Sequence, residues 1–145
     1  MSSLKFLRIA LGSIILVGGS ALAMTAKLAE PTTRTLTLFD IEQELAARTN
    51  AARVSIGLKP LIIDQTLINF ARYHTWKMAN EIGMVHSGGP YRENIAMGMP
   101  TSAEVMKTWL NSSGHYTNIM SESTRMGAAC YISPGGTLYW TQEFK

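Results

Sequence analysis

His86 and Glu93 stand seven positions apart in VHSGGPYRENIAMG, and a second histidine, His115, opens the stretch HYTNIM. Two imidazoles and a carboxylate have three ordinary uses. They can hold zinc or another divalent ion with water in an open position. They can act as a general acid/base pair whose pKa values are tuned by burial and neighbours. They can also simply begin loops and hydrogen-bond to the backbone. Spacing alone does not choose, because nothing like HExxH puts two ligands on adjacent helical turns. Nor is there a nucleophile motif such as GxSxG. A fourth candidate, Glu104, sits in Thr101-Ser102-Ala103-Glu104, where a capping box already accounts for it. The third histidine, His74, lies beside the apolar face of a helix and reads as a packed or hydrogen-bonded core-edge residue.

The surrounding elements must bring these residues together. From Asp40, apolar Ile41, Leu45, Ala52 and Val54 recur at helical spacing up to Gly57. Pro60 then forces an extended turn. Asp64 is a good N-cap for a second helix, with Leu67, Ala71, Thr75, Met78 and Ile82 on one face and Gly83 as its stop. A third helix starts at Thr101 and buries Val105, Met106 and Trp109. Asn111-Ser112-Ser113-Gly114 breaks it, and His115 to Met120 forms a new short turn or helix. The end of the chain reads as a hairpin: Met126 to Ile132, a Pro134-Gly135-Gly136 turn, then Thr137 to Phe144 with Leu138, Trp140 and Phe144 on one face. Helices packed against a terminal hairpin make an α+β domain.

The 145 residues suffice for one domain with a real core. Residues 1–23 read as a secretory signal peptide: Lys5 and Arg8 precede an uncharged, mostly apolar run that closes on Ala21-Leu22-Ala23. An uncleaved anchor is the alternative, weakened by Gly12, Gly18, Gly19 and Ser20. Residues 24–37 form a lead-in broken by Pro31, and 38–145 the domain. Cleavage removes two of 13 basic residues and leaves 11 against 10 acidic ones. That balance, with no basic block or zinc-finger spacing, gives nucleic-acid binding no support. Cys130 is the single cysteine, so the core must hold without an internal disulfide. After cleavage no membrane span is expected.

VHSGGPYRENIA resembles the HSxxxxGENxA signature of the CAP superfamily of cysteine-rich secretory proteins, antigen 5 and pathogenesis-related 1 proteins. Trp109 to Ile119, WLNSSGHYTNI, is similar to the family's GH[FY]T signature in its compact bacterial form. Asn50-Ala51-Ala52-Arg53 with Gly57-Leu58-Lys59-Pro60-Leu61 matches the first-helix pattern, and Leu138 to Phe144 the closing strand. The resemblance implies an α/β/α sandwich, helices on both faces of a small antiparallel sheet, and a cleft lined by His86, Glu93 and His115. The place of the family's second glutamate holds Ser112, and Glu104 is the less certain substitute. Arg92 stands where the signature has glycine. Three outcomes are open for it: strain if the backbone needs a positive φ, an ion pair with Glu93, or a side chain in solvent.

The resemblance defines no single reaction. It implies a secreted protein, periplasmic if the cell is Gram-negative, that acts by binding through the cleft, with a lipid or sterol ligand and zinc as the candidate ion at His86 and His115. One alternative is a metal-assisted hydrolase with Glu93 as base. Another is a module that engages an extracellular protein or the cell envelope, its cleft vestigial.

Overall fold

The structure is a computed structural model and describes residues 39–145. The expected signal peptide and lead-in lie outside the described residues. The described part begins with helix α1 (Asp40–Ser55), whose buried positions are Glu42, Leu45, Ala46, Thr49 and Arg53. The stripe has helical spacing, but three of its five residues are polar. Val54, an expected core residue, is instead exposed. Arg53 explains the polar stripe: its guanidinium donates to the carbonyls of Lys59, Ile119, Ser121 and Ser123. It thereby ties the end of α1 to the turn after it and to the segment that leads into the hairpin.

Strand β1 (Ile62–Ile63) is followed by α2 (Gln65–Lys77). Asp64 caps α2 as expected, accepting from the backbone N–H groups of Thr66 and Leu67 at 2.9 and 3.2 Å. The helix widens into one π turn over Met78–Ile82 and stops at Gly83, whose φ of 69° is left-handed. Ile82 is exposed rather than part of the buried face. After the 83–91 connector come β2 (Arg92–Met97), α3 (Ser102–Leu110), α4 (Ser113–Ile119), β3 (Arg125–Ile132) and β4 (Leu138–Phe144).

The strands form one sheet in the order β1-β3-β4-β2. The three long strands pair antiparallel, while two-residue β1 runs parallel to β3. The sheet is therefore mixed rather than purely antiparallel, because the α1–α2 connection brings β1 back only as a short edge.

Side-chain alternation assigns the two faces. Ala96, Met126, Ala128, Trp140 and Phe144 join Leu45, Ala46, Val105, Met106, Trp109 and Ile119 in one core with α1, α3 and α4. The opposite face carries Glu93, Gly127, Thr141 and Glu143 and lies under α2. There Thr75 donates to the Thr141 hydroxyl at 2.8 Å. A Cβ on Gly127 would collide with the backbone of Leu67 and Ile68, so only glycine lets α2 lie this close to the sheet. Helices thus cover both faces, as expected of the α/β/α sandwich.

Candidate functional site

β2 is an edge strand, and an open edge exposes unpaired backbone groups. Here side chains from α3 and α4 close it. The indole N–H of Trp109 donates to the Ile95 carbonyl at 3.2 Å, and the Asn118 amide to the Glu93 carbonyl at 3.0 Å. Asn94 is fully buried and donates to the His115 carbonyl at 3.1 Å. Its amide oxygen accepts from Asn118 at 2.9 Å. These bonds dock α4 on β2 and place His115 beside the strand that carries Glu93.

His86 reaches the same edge from the α2 side. The connector that holds it is seated by Gly89, where a Cβ would meet the Phe70 ring at 2.7 Å. His74 from α2 fixes it a second time. Its Nε2 lies 2.9 Å from the Val85 carbonyl; a carbonyl can only accept, so Nε2 carries the proton. His74 is also buried, with Nε2 3.6 Å from a Glu93 oxygen. The expected hydrogen-bonded core-edge role is what it plays, and that role directly supports the site.

His86 Nδ1 stands 2.5 Å from Glu93 Oε1, with the imidazole exposed and the carboxylate buried. The Ser87 backbone N–H donates to both Glu93 oxygens, at 3.0 and 3.3 Å. Burial alone would raise the Glu93 pKa. Hydrogen bonds from Ser87, then from His86, outweigh it and hold the carboxyl below its ordinary value. An ionised Glu93 takes the Nδ1 proton of His86 as donor and leaves Nε2 facing outward with its lone pair. The carboxylate therefore orients the imidazole, which is exposed and lines a small pocket with Phe70, Tyr73 and Lys77.

His115 completes the polar part. Burial and then the nearby His86 lower its pKa, favouring the neutral ring at physiological pH, and its Nδ1 is buried with no hydrogen-bond partner. His86, Glu93 and His115 are thus brought to one edge of the sheet. Glu104 is not joined to them by any described bond. Thr101 caps α3 by accepting from the Glu104 backbone N–H at 3.2 Å, while the Glu104 carboxylate accepts from the Thr101 hydroxyl at 3.1 Å rather than from its backbone N–H, so only half of the expected capping box forms; Glu104 lines a separate open pocket with Lys107.

Arg92 pairs with Phe144 in the extended backbone of β2, so the strain expected of a positive φ does not arise. Strand alternation turns it away from Glu93, and it lies exposed beside Tyr116 and Thr117.

Next to His115 an apolar pocket of about 330 Å³ runs around the edge of β2, lined by Met84, Ile95, Met97, Met99, Trp109 and His115 among others. Methionines suit such a wall because their unbranched chains adapt to varied apolar shapes. Among the described residues no three His, Cys, Asp or Glu side chains converge closely enough to hold a metal ion. An ion here would rest on the two imidazoles and on water, a donor set that suits a loosely held divalent ion better than a closed structural zinc site.

One residue of the site was not singled out in the sequence: Glu143 in β4, beside Glu93. Glu143 is fully buried, its two oxygens without a hydrogen-bond partner as a carboxylate. The available signal was the expectation of helices on both faces of the sheet, which leaves a β4 glutamate no outlet to water.

The family model described as "CAP: Cysteine-rich secretory protein family" matches residues 46–144. YkwD of Bacillus subtilis is 36% identical over 121 residues, covering 71% of this chain and 46% of that protein. The basic form of pathogenesis-related protein 1 of Nicotiana tabacum is 31% identical over 113 residues, covering 66% of this chain and 64% of that protein. The chain thus spans less than two thirds of the length of these relatives. Among solved structures, an extracellular SCP-domain protein of Bacillus anthracis superposes with a TM-score of 0.63 at 22% identity, covering 76% of this chain and 44% of that one. An outer surface protein of Borrelia burgdorferi superposes with a TM-score of 0.62 at 19% identity, covering 75% of this chain and 94% of that one.

Proposed function

The chain belongs to the cysteine-rich secretory protein (CAP) family, and from that premise we propose that it is exported and works by binding an amphipathic ligand of the lipid or sterol class at the β2 edge. The observation that carries this reading is the meeting of two surfaces at His115. One is polar, with His86 Nε2 held outward by Glu93. The other is the methionine-walled pocket, which presents almost only apolar surface. A ligand with an apolar body and one hydroxyl or carboxyl group matches both, because apolar walls supply affinity and a few polar groups fix orientation.

Met84 and Met97 are half exposed, so a charge placed on either spares the core. The test is equilibrium binding of a fluorescent long-chain fatty acid and a fluorescent sterol to the full chain and to Met84→Asp and Met97→Asp. Saturable binding weakened at least about tenfold by either charge supports the reading, the loss expected for a polar group placed against an apolar ligand. Binding of neither probe, or binding indifferent to both substitutions, rejects it.

A divalent ion at His86 and His115 is a second property of the same edge, favoured by the outward Nε2 of His86. When bound, such an ion would act as a Lewis acid toward a ligand oxygen or water. Glu93 would orient His86, as carboxylates do behind ligating imidazoles. Because both Glu93 oxygens already accept hydrogen bonds, a water-activating scheme with Glu93 as base would first have to release it from His86 and Ser87.

A further inference from the structure

Glu143 has no part in the readings above, yet it is the most completely buried acidic side chain beside the site, at 0% exposure. As a carboxylate it has no hydrogen-bond partner, and the sheet register sets Glu93 beside it. In the sheet it lies between Gly127 of β3 and Glu93 of β2. Gly127 has no side chain, and the α2 backbone presses directly on it. Cross-strand neighbours on one face have Cβ atoms about 5 Å apart, so Glu93 is in reach. From α2, His74 faces the same carboxylate at 3.6 Å, but it gives its Nε2 proton to the Val85 carbonyl. From the connector, His86 binds Oε1 of Glu93, the oxygen other than the one His74 faces.

Two ionised carboxylates so placed would only repel, and neither could donate. With a proton on Glu143 the pair becomes donor and acceptor. Burial, then the hydrogen bond to Glu93 and its charge, push the Glu143 pKa up to about 9, so the proton is present at neutral pH.

We propose that Glu143 is a positioning residue of the cleft: as a neutral carboxylic acid it donates to Glu93, and Glu93, held from behind, fixes His86 with Nδ1 protonated and Nε2 open to the ligand. The line runs Glu143 to Glu93 to His86, from fully buried to exposed. A purely structural glutamate would fill space without affecting which nitrogen of His86 carries the proton. The inference rests on His86 being exposed beside Glu93 but not on what the cleft binds, because the readout is taken on the ligand-free protein.

The experiment is long-range proton–nitrogen NMR of His86 in the full chain, above the pH at which the ring is protonated, for the unaltered protein, Glu143→Gln and Glu143→Met. The unaltered protein is expected to hold His86 mainly as the Nδ1–H tautomer. Glu143→Gln retains an N–H donor and keeps that tautomer. Glu143→Met fills the volume without a donor. It should raise the ratio of Nε2–H to Nδ1–H by about threefold or more, the shift that one ordinary hydrogen bond produces. An unchanged ratio in a folded Glu143→Met protein overturns the inference. The carboxyl-carbon shift of Glu143 in the unaltered protein is a second measurement that does not depend on any variant folding. A neutral acid near neutral pH supports the inference, and an ionised carboxylate there overturns it.

Discussion

Removing the Arg53 side chain is expected to be among the most damaging single changes that leave the site residues untouched. Arg53 is 4% exposed and makes four bonds to carbonyls, at 3.0, 2.6, 2.9 and 3.3 Å. The planar guanidinium matches this fan of acceptors in a way that an ammonium cannot. A hydrogen bond to a charged donor is worth about 1.5–3 kcal/mol, but four sharing one group do not add. Three of the four bonds are only part-buried, so water can replace some of what is lost. Arg53→Ala should therefore cost about 3–4 kcal/mol, and Arg53→Lys about half as much. At about 4–8 °C per kcal/mol for a domain near 100 residues, the alanine variant should melt at least about 12 °C lower. Urea unfolding followed by tryptophan fluorescence gives the free energy directly. A loss under about 1 kcal/mol for Arg53→Ala would refute the view that this side chain ties α1 to the segment before the hairpin.

Two further perturbations test other joints. Gly127→Ala puts a methyl group against α2 backbone that cannot rotate away; the expected cost is at or above the upper end of the about 1–3 kcal/mol typical of overpacking, and a midpoint within error of the unaltered protein would contradict the seating of α2. The pH dependence of stability should carry the mark of Glu143. Its pKa is higher folded than its ordinary value of 4.5, so its contribution is complete below that value and is lost as pH rises toward about 9. In that window its slope approaches about −1.4 kcal/mol per pH unit, and Glu143→Gln should remove it. Glu93, held below its ordinary value, acts in the opposite sense and below that window, losing its contribution as pH falls beneath 4.5. A slope that survives Glu143→Gln would place it elsewhere.

His86, Glu93 and His115 were legible because their motifs survive as contiguous words in the sequence, and the structure gathers all three at one strand edge. What supports them was less legible, for reasons visible in particular residues. The core stripe of α1 is written with Glu42, Thr49 and Arg53, polar groups satisfied by Arg72, by Gln142 or by the backbone, so apolar periodicity pointed to exposed Val54 instead. In β4 attention fell on Leu138, Trp140 and Phe144, yet Thr141 and Glu143 on the opposite face are just as buried. A polar residue in a strand suggests solvent until the second helical layer is in place. The orienting role of Glu93 is a matter of which atoms meet, and no spacing contains it.

If His86 and His115 form the working polar centre of the cleft, a divalent ion should find both imidazoles. Calorimetric titration of zinc into the full chain near neutral pH, beside the His86→Ala/His115→Ala double variant, asks this of the protein itself. The expected result is saturable binding, in the micromolar range or somewhat weaker, that the double variant loses. No binding in the unaltered protein, or binding that survives removal of both imidazoles, would contradict that role for the pair.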